Sequence, residues 1–188
     1  MKRSVLLATL LAVLTVFGVS AQKFKPVPAF LKGEAQINIV FDYSNIEFDG
    51  DSQSKYYNYK GKNWVEEWEG KRREANESSF ITTFNDELVN VGLKSGNFPE
   101  AQYTLIIYVL DCDFGAYAGP MSVPAKIKAN IKVVKTGTTE TLSLAATFKE
   151  SQNPYTTMGT PIDFDRMYLA FGELAEEAGE TLVKALRK

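Results

Sequence analysis

The sequence contains no histidine and only one cysteine, Cys112, among its 188 residues. Without histidine there is no Ser–His or Cys–His catalytic pair, no His-ligated zinc and no histidine pH switch. A single cysteine excludes an intrachain disulfide and a multi-cysteine metal site. We therefore predict that the protein is not an enzyme, with no catalytic residues, no metal and no cofactor.

An excess of positive charge is also missing. The chain has 21 basic and 23 acidic residues and a formal charge of −2. Such a balance gives no broad attraction to nucleic acid, which we exclude as a partner. Long apolar runs are scarce as well: beyond residue 21 the longest is Leu105–Leu110, which suits a strand. No transmembrane segment is therefore expected in the mature protein.

The first 21 residues have the three parts of a secretory signal. Lys2 and Arg3 are followed by an apolar stretch, Val5–Phe17, and then by small residues ending at Ala21. The alternative, a membrane anchor, needs roughly 20 apolar residues, and this stretch is shorter. We predict that residues 1–21 are cleaved and that the mature protein begins at Gln22.

The form of this signal is bacterial, which predicts export to a Gram-negative periplasm or to the cell exterior. No cysteine follows the cleavage site, so the product is not expected to be a lipoprotein. The remainder has the length of one domain. Residues 22–34, which contain prolines, predict an extended N-terminal segment, and residues 35–188 predict a single α+β domain.

Alternation of apolar and polar residues predicts four strands, at residues 36–43, 103–114, 126–135 and 140–150. Leu105–Leu110 is apolar on both faces, so the second strand is expected to be central and covered on at least one side. In the fourth strand, the alternation places Leu142, Leu144, Ala146 and Phe148 on one face.

Two long helices are predicted, at residues 63–91 and from Asp163 to the C-terminus. Asn63 is the expected cap of the first, and the polar stretch 49–62 before it is expected to be a loop. In the second, Gly172 and Gly179 lie two turns apart. Because each glycine weakens a helix, we expect a close packing contact at both.

The resulting order is β-α-β-β-β-α. It predicts a two-layer α+β fold, in which a four-stranded mixed sheet carries two long helices packed on one face. The crossover between the first two strands should make them parallel.

Three segments carry a resemblance to a known group of proteins: Ala101–Ile107, the hairpin Val133–Leu142 and the helix Phe171–Leu186. With this order, the chain resembles small exported envelope domains of Gram-negative bacteria whose function is unknown. The auxiliary lipoproteins of ABC-type transport and the lipopolysaccharide-assembly lipoprotein are similar in layout. The resemblance implies an envelope location and no catalytic residues. The chain differs from those lipoproteins in lacking the lipidated cysteine.

Two short motifs match penicillin-recognising serine enzymes. Ser52–Lys55 reads S-x-x-K and Lys135–Gly137 reads K-T-G, but the third motif of those enzymes is missing. We interpret both as coincidence, with the first in a loop and the second in a hairpin turn. Asp111 and Asp113 share a strand face and are interpreted as solvated carboxylates rather than a catalytic pair.

Aromatic residues give the candidate binding site. Five fall close together: Tyr56, Tyr57, Tyr59, Trp64 and Trp68. They suit stacking on a sugar or gripping a peptide, but they equally suit packing against the sheet. The apolar loop of residues 114–124 adds Tyr117 and Met121, which form a contact site if exposed and cover a sheet edge if folded back.

The function predicted from the sequence is a non-enzymatic exported envelope module that binds a protein or a lipid or glycan component. The alternative is a small-ligand carrier or sensor with an aromatic-lined pocket. A carboxylate-dependent hydrolase is the third hypothesis. An exposed apolar patch would favour the first, an enclosed aromatic pocket the second, and two acids facing across a cleft the third.

Overall fold

The computed structural model of the protein describes residues 22–152, 159 and 162–188. The predicted signal, residues 1–21, lies outside this part, and its predicted cleavage site before Gln22 lies at the boundary. Within the described part, no helix combines the length and the apolar character needed to cross a bilayer.

Seven strands form one mixed sheet in the described part of the chain. They are β1 (Gln36–Asp42), β2 (Glu47–Phe48), β3 (Asp51–Ser52), β4 (Lys94–Gly96), β5 (Tyr103–Asp113), β6 (Lys126–Lys135) and β7 (Thr141–Ser151). The prediction of four strands is therefore wrong. The four long strands were predicted, whereas β2, β3 and β4, of two or three residues each, are too short to show alternation.

The sheet is built around β5, the longest central strand. β5 pairs with β1 in parallel and with β6 antiparallel, which gives the order β4-β1-β5-β6-β7. The β2–β3 hairpin adds to the far end of β5, beyond the end of β1. The predicted parallel pairing of the first two long strands is confirmed.

The helical region between β3 and β4 is broken into pieces. It contains α1 (Gln53–Lys60), α2 (Lys62–Glu67), a π-helical turn (Trp68–Arg72) and α3 (Arg73–Leu88). The prediction of a single helix capped by Asn63 was wrong. Gly61 (φ +83°) separates α1 from α2, which begins at Lys62, and Gly70 leaves helical geometry inside the π turn. The expected loop at 49–62 instead holds β3 and α1.

The final helix, α4 (Asp163–Leu186), packs beside α3, and both share one core with the inner face of the sheet. Phe80 of α3 meets Phe41 of β1 edge-to-face, with ring centroids 5.4 Å apart. Ile39, Leu105 and Ile131 from three strands lie in the same core. The opposite face of the sheet has no helix over it among the elements described.

A bulge in β7 overturns the predicted face of that strand. Thr147 has φ +59°, and the pairing with β6 shifts by one residue around it. Ser143 and Ala145 consequently point into the core together with Phe148, while Leu144 lies 38% exposed on the outer face. The prediction that Leu144 and Phe148 share a face was wrong because one inserted residue reverses the alternation.

The N-terminal segment is pinned along the free edge of β7. Lys25 and Leu144 exchange backbone hydrogen bonds of 2.9 and 3.1 Å, and the Ser143 hydroxyl donates to the Pro26 carbonyl at 2.6 Å. Phe24 and Leu31 are buried. This segment therefore covers an edge that would otherwise be open to pairing with another chain.

Candidate functional site

The predicted aromatic cluster lies mostly in the core. Tyr56 and Trp68 are 3% and 1% exposed. Tyr56 stacks on Phe48 of β2 with ring centroids 5.2 Å apart, and Trp68 meets Phe48 edge-to-face at 5.4 Å. Tyr57 and Trp64 are partly buried against the same core, and only Tyr59 is well exposed, at 82%. The cluster thus anchors α1, α2 and the π turn to the sheet.

Two polar atoms in this cluster lack partners. The Tyr56 hydroxyl and the Trp64 indole N–H are buried without a hydrogen bond in the described part of the chain. Burial, followed by the nearby charge of Asp49, raises the pKa of Tyr56 far above its usual range. The tyrosine therefore stays neutral, and it packs in the core.

The loop after β5 is exposed, not folded back. Ala116 and Val123 bridge its base through two backbone hydrogen bonds, and residues 119–121 form a 3₁₀ turn at its tip. Tyr117 is 49% and Met121 80% exposed. Of the residues predicted to contact a partner, Tyr59, Tyr117 and Met121 are the accessible ones, and their role in binding stays a prediction.

Strand register creates a row on the outer face of the sheet that sequence reasoning missed, and it is apolar except for Lys132. Val40 pairs with Ile106, Ile106 with Lys132, and Lys132 with Leu144, so one row crosses four strands. Val40 is 44% exposed. We call Val40, Ile106, Tyr108 and Leu144 the outer patch. The sequence feature that indicated it is the run Leu105–Leu110 in β5, which is apolar on both faces although helices cover only one of them.

Lysines accompany the outer patch. The Lys132 ammonium lies 5.9 Å from the centre of the Tyr108 ring and donates to the Thr139 carbonyl at 3.1 Å. Lys128 of β6 stands directly opposite Lys149 of β7. Like charges opposite each other destabilise a sheet. Lys128 also stands opposite Asp111 of β5, and Asp113 lies 3.6 Å from the Lys126 ammonium, so aspartates balance part of the positive charge at this end of the face.

A cleft separates α3 from α4 beside the π turn. It has a volume of about 350 Å³ and is lined by Arg72, Asn76, Phe164, Tyr168 and three neighbours. Asn76 is 1% exposed, and its Nδ2 has no hydrogen-bond partner within the described ranges. The Arg72 guanidinium lies 5.0 Å from the centre of the Phe164 ring and 3.3 Å from an Asp165 carboxylate oxygen. We call this the α3–α4 cleft.

The two serine-enzyme motifs are far apart. Ser52 precedes α1 rather than lying in a loop, so that part of the interpretation was wrong. It pairs with Glu47, which lies beside Asp111 near one end of β5, whereas Lys135 pairs with Tyr103 at the other end. At about 3.3 Å per residue, roughly 25 Å separates the two motifs. They cannot act on one substrate.

The strand-end aspartates are not both solvated. The Oδ1 atom of Asp111 is buried and has no hydrogen-bond partner among the described residues, and burial raises the pKa of this carboxyl. Asp113 accepts a 2.8 Å hydrogen bond from the Gly115 amide and lies 3.6 Å from the Lys126 ammonium. In the residues described, no group of three or more cysteine, aspartate or glutamate side chains could hold a metal ion.

No family model matches the chain, and no curated protein matches its sequence. In fold it is similar to PelC from Paraburkholderia phytofirmans, a dodecamer, with a TM-score of 0.42 and 7% identity over 78% of this chain and 88% of that one. It is also similar to a Xanthomonas campestris protein of the DUF330 family, with a TM-score of 0.40 and 17% identity over 61% and 63%. At TM-scores this low, neither similarity bears on what this chain does.

Proposed function

We propose that the protein is a non-enzymatic exported module of the Gram-negative envelope, and that it binds another envelope component through the outer patch. The observation that carries the proposal is the row Val40–Ile106–Lys132–Leu144, which lies open on a sheet whose other face is fully packed. A row of apolar side chains interrupted by Lys132 suits a partner that presents apolar groups with negative charge among them.

Purification of the tagged protein from its native envelope tests this proposal. The co-purifying material is identified by mass spectrometry for proteins and by chemical analysis for lipid and glycan. The double variant Val40→Glu/Leu144→Glu should lose the component, because it places negative charge at two exposed positions of the patch. Val89→Glu is the matched control, since Val89 is 74% exposed at the end of α3. Equal retention by both variants would exclude the outer patch as the binding surface.

A small-ligand carrier is a second candidate function, favoured by the α3–α4 cleft. The buried Asn76 amide lacks an acceptor, while Phe164 and Tyr168 supply aromatic surface. A ligand with an apolar body and one oxygen acceptor would satisfy that amide.

Native mass spectrometry of protein purified without detergent tests the carrier function. A bound small molecule is expected on the parent and absent from Asn76→Leu, which removes the amide at similar volume. Asn85→Leu would disturb a hydrogen-bonded asparagine elsewhere on α3 and controls for general damage to that helix. A spectrum without adduct on the parent counts against the carrier function.

A further inference from the structure

An apolar groove lies where the N-terminal segment meets the last turns of α4. Its volume is about 300 Å³, and its lining is almost wholly carbon. Phe24 and Val27 contribute from the segment, and Ala185 contributes from the helix. Phe24 and Ala185 are buried, whereas Val27 is 46% exposed. The groove is separate from both the outer patch and the α3–α4 cleft.

The wall of this groove is fixed in place. Beyond the hydrogen bonds of Lys25 and Pro26 to β7, the Gln22 amide donates to the Thr147 carbonyl at 2.6 Å. The segment is thus tied to the sheet at three points along its length. The opposite wall is the face of α4 that carries Thr181 and Ala185, one turn apart. Both walls therefore belong to the folded core, and the groove persists without a ligand.

Positive charge surrounds the groove although the whole chain is acidic. Four lysines are among its lining residues: Lys23, Lys25, Lys184 and Lys188. No acidic residue lines it. In the described part of the chain, Lys184 alone of these four has a carboxylate within 4 Å, that of Glu180. Lysine covers apolar surface with its stem and keeps its ammonium group in water, so charges are available at the groove's margin.

We propose that this groove binds a free single-chain anionic amphiphile, with its alkyl chain against Phe24, Val27 and Ala185 and its head group beside the lysines. The volume lies at the lower limit for ligand pockets, which suits one flexible chain rather than a two-chain lipid. Burial of the chain supplies the affinity, and the lysines select a negative head group over a neutral or positive one.

Fluorescence binding with dansyl-undecanoate, kept below its micelle concentration, tests the proposal on the purified protein. Saturable binding with a blue-shifted emission is expected. Dodecanoate should displace the probe, whereas dodecyltrimethylammonium of equal chain length should be at least about tenfold weaker. Vesicles of phosphatidylglycerol test whether the protein binds membrane lipid instead. Binding to vesicles without binding of dodecanoate would overturn the free-amphiphile proposal.

Variants locate the site. Val27→Trp adds bulk to an exposed wall position and should weaken dodecanoate binding at least about tenfold. Lys23→Glu/Lys188→Glu should weaken it about fivefold while leaving the unfolding midpoint close to that of the parent. Lys71→Glu in the π turn and Lys94→Glu on β4, both exposed, are controls that should bind as the parent does. Absence of saturable binding, or binding unchanged by both groove variants, would refute the proposal.

Discussion

The two glycines of α4 face the same helix at different distances. A Cβ on Gly179 would lie 2.6 Å from the Glu87 Cβ atom, closer than side chains approach. A Cβ on Gly172 would lie 3.5 Å from the Ser79 hydroxyl, an ordinary contact. The predicted close packing is therefore confirmed for Gly179, and its partner is α3. At Gly172 there is room for a methyl group.

The first prediction compares these glycines. Gly179→Ala should destabilise the protein by about 1–3 kcal/mol, because α3 and α4 must move apart. Gly172→Ala should stabilise it by up to about 1 kcal/mol, because alanine favours the helix and the site accepts it. Urea unfolding of both variants and the parent gives the free energies. The distance argument fails if the two alanines shift stability in the same direction.

The second prediction concerns the only thiol. Cys112 is fully buried on the inner face at the end of β5, and burial raises its pKa. A neutral, inaccessible thiol reacts slowly, because the thiolate is the nucleophile. Ellman's reagent should label the native protein far more slowly than the urea-unfolded protein. Similar rates in the two states would mean that this end of the sheet opens readily.

At the scale of elements, the bulge in β7 is held by two side chains: the Gln22 amide donates to the Thr147 carbonyl, and Asn130 accepts from the Thr147 amide. The Asn130 carbonyl oxygen accepts from the Thr147 amide at 2.7 Å and from the Thr147 hydroxyl at 3.3 Å. These contacts give a hydrogen-bond acceptor to the Thr147 amide, which the bulge removes from the hydrogen bonding between β6 and β7. Because Thr147 is β-branched and has φ +59°, the conformation is costly without such support.

The third prediction follows from that contact. Asn130→Ala leaves the Thr147 amide without its acceptor and should cost about 1–2 kcal/mol in urea unfolding. Thr147→Gly should cost less, because glycine accepts a positive φ. Lys135→Ala, at the exposed last position of β6, is the control and should stay within about 0.5 kcal/mol of the parent. An Asn130→Ala variant as stable as this control would show that the bulge needs no support from Asn130.

Elements with strong periodicity were predictable from the sequence, and irregular ones were not. The alternation in β1, β5 and β6 and the apolar face of α4 located all four elements. By contrast, α1 is almost wholly polar apart from its tyrosines, so no apolar stripe marks it as a helix. The reversal in β7 depends on one backbone angle at Thr147, which alternation does not encode.

The candidate site was harder to predict for a physical reason. Tyrosine and tryptophan suit both cores and interfaces, so the aromatic cluster could be located but not assigned to the inside or the outside. The outer patch joins residues from four strands, and only strand register brings Val40, Ile106 and Leu144 into one row.

At the scale of the whole molecule, the two faces of the sheet differ in how far other elements cover them. Helices α3 and α4 cover the inner face, and the N-terminal segment covers the β7 edge. The outer patch and the lysine-lined groove open on the surface of this packed region, where the described elements do not cover them. Binding at either site would therefore leave the core unchanged, and stability and binding can be altered by separate substitutions.

The last prediction is a pH dependence of folding that involves both layers. Glu150 of β7 is half-buried, and burial, followed by the charges of Glu177 and Glu173 on α4, raises its pKa from 4.5 to about 7. Between those two values the folded protein keeps a proton that the unfolded chain releases. This carboxyl therefore contributes stability at low pH that is lost as pH rises toward 7. Burial raises the pKa of Glu77 as well, which acts in the same direction.

Glu150→Gln keeps the shape of the side chain and removes its titration. Compared with the parent, this variant should be more stable at about pH 8, where the parent carries a charged carboxylate beside two others, and the difference should shrink toward about pH 5. Thermal unfolding across this range measures the difference. Glu140→Gln, at an exposed position before β7, is the control and should follow the parent at each pH. A stability difference between Glu150→Gln and the parent that did not change with pH would contradict the raised pKa of Glu150.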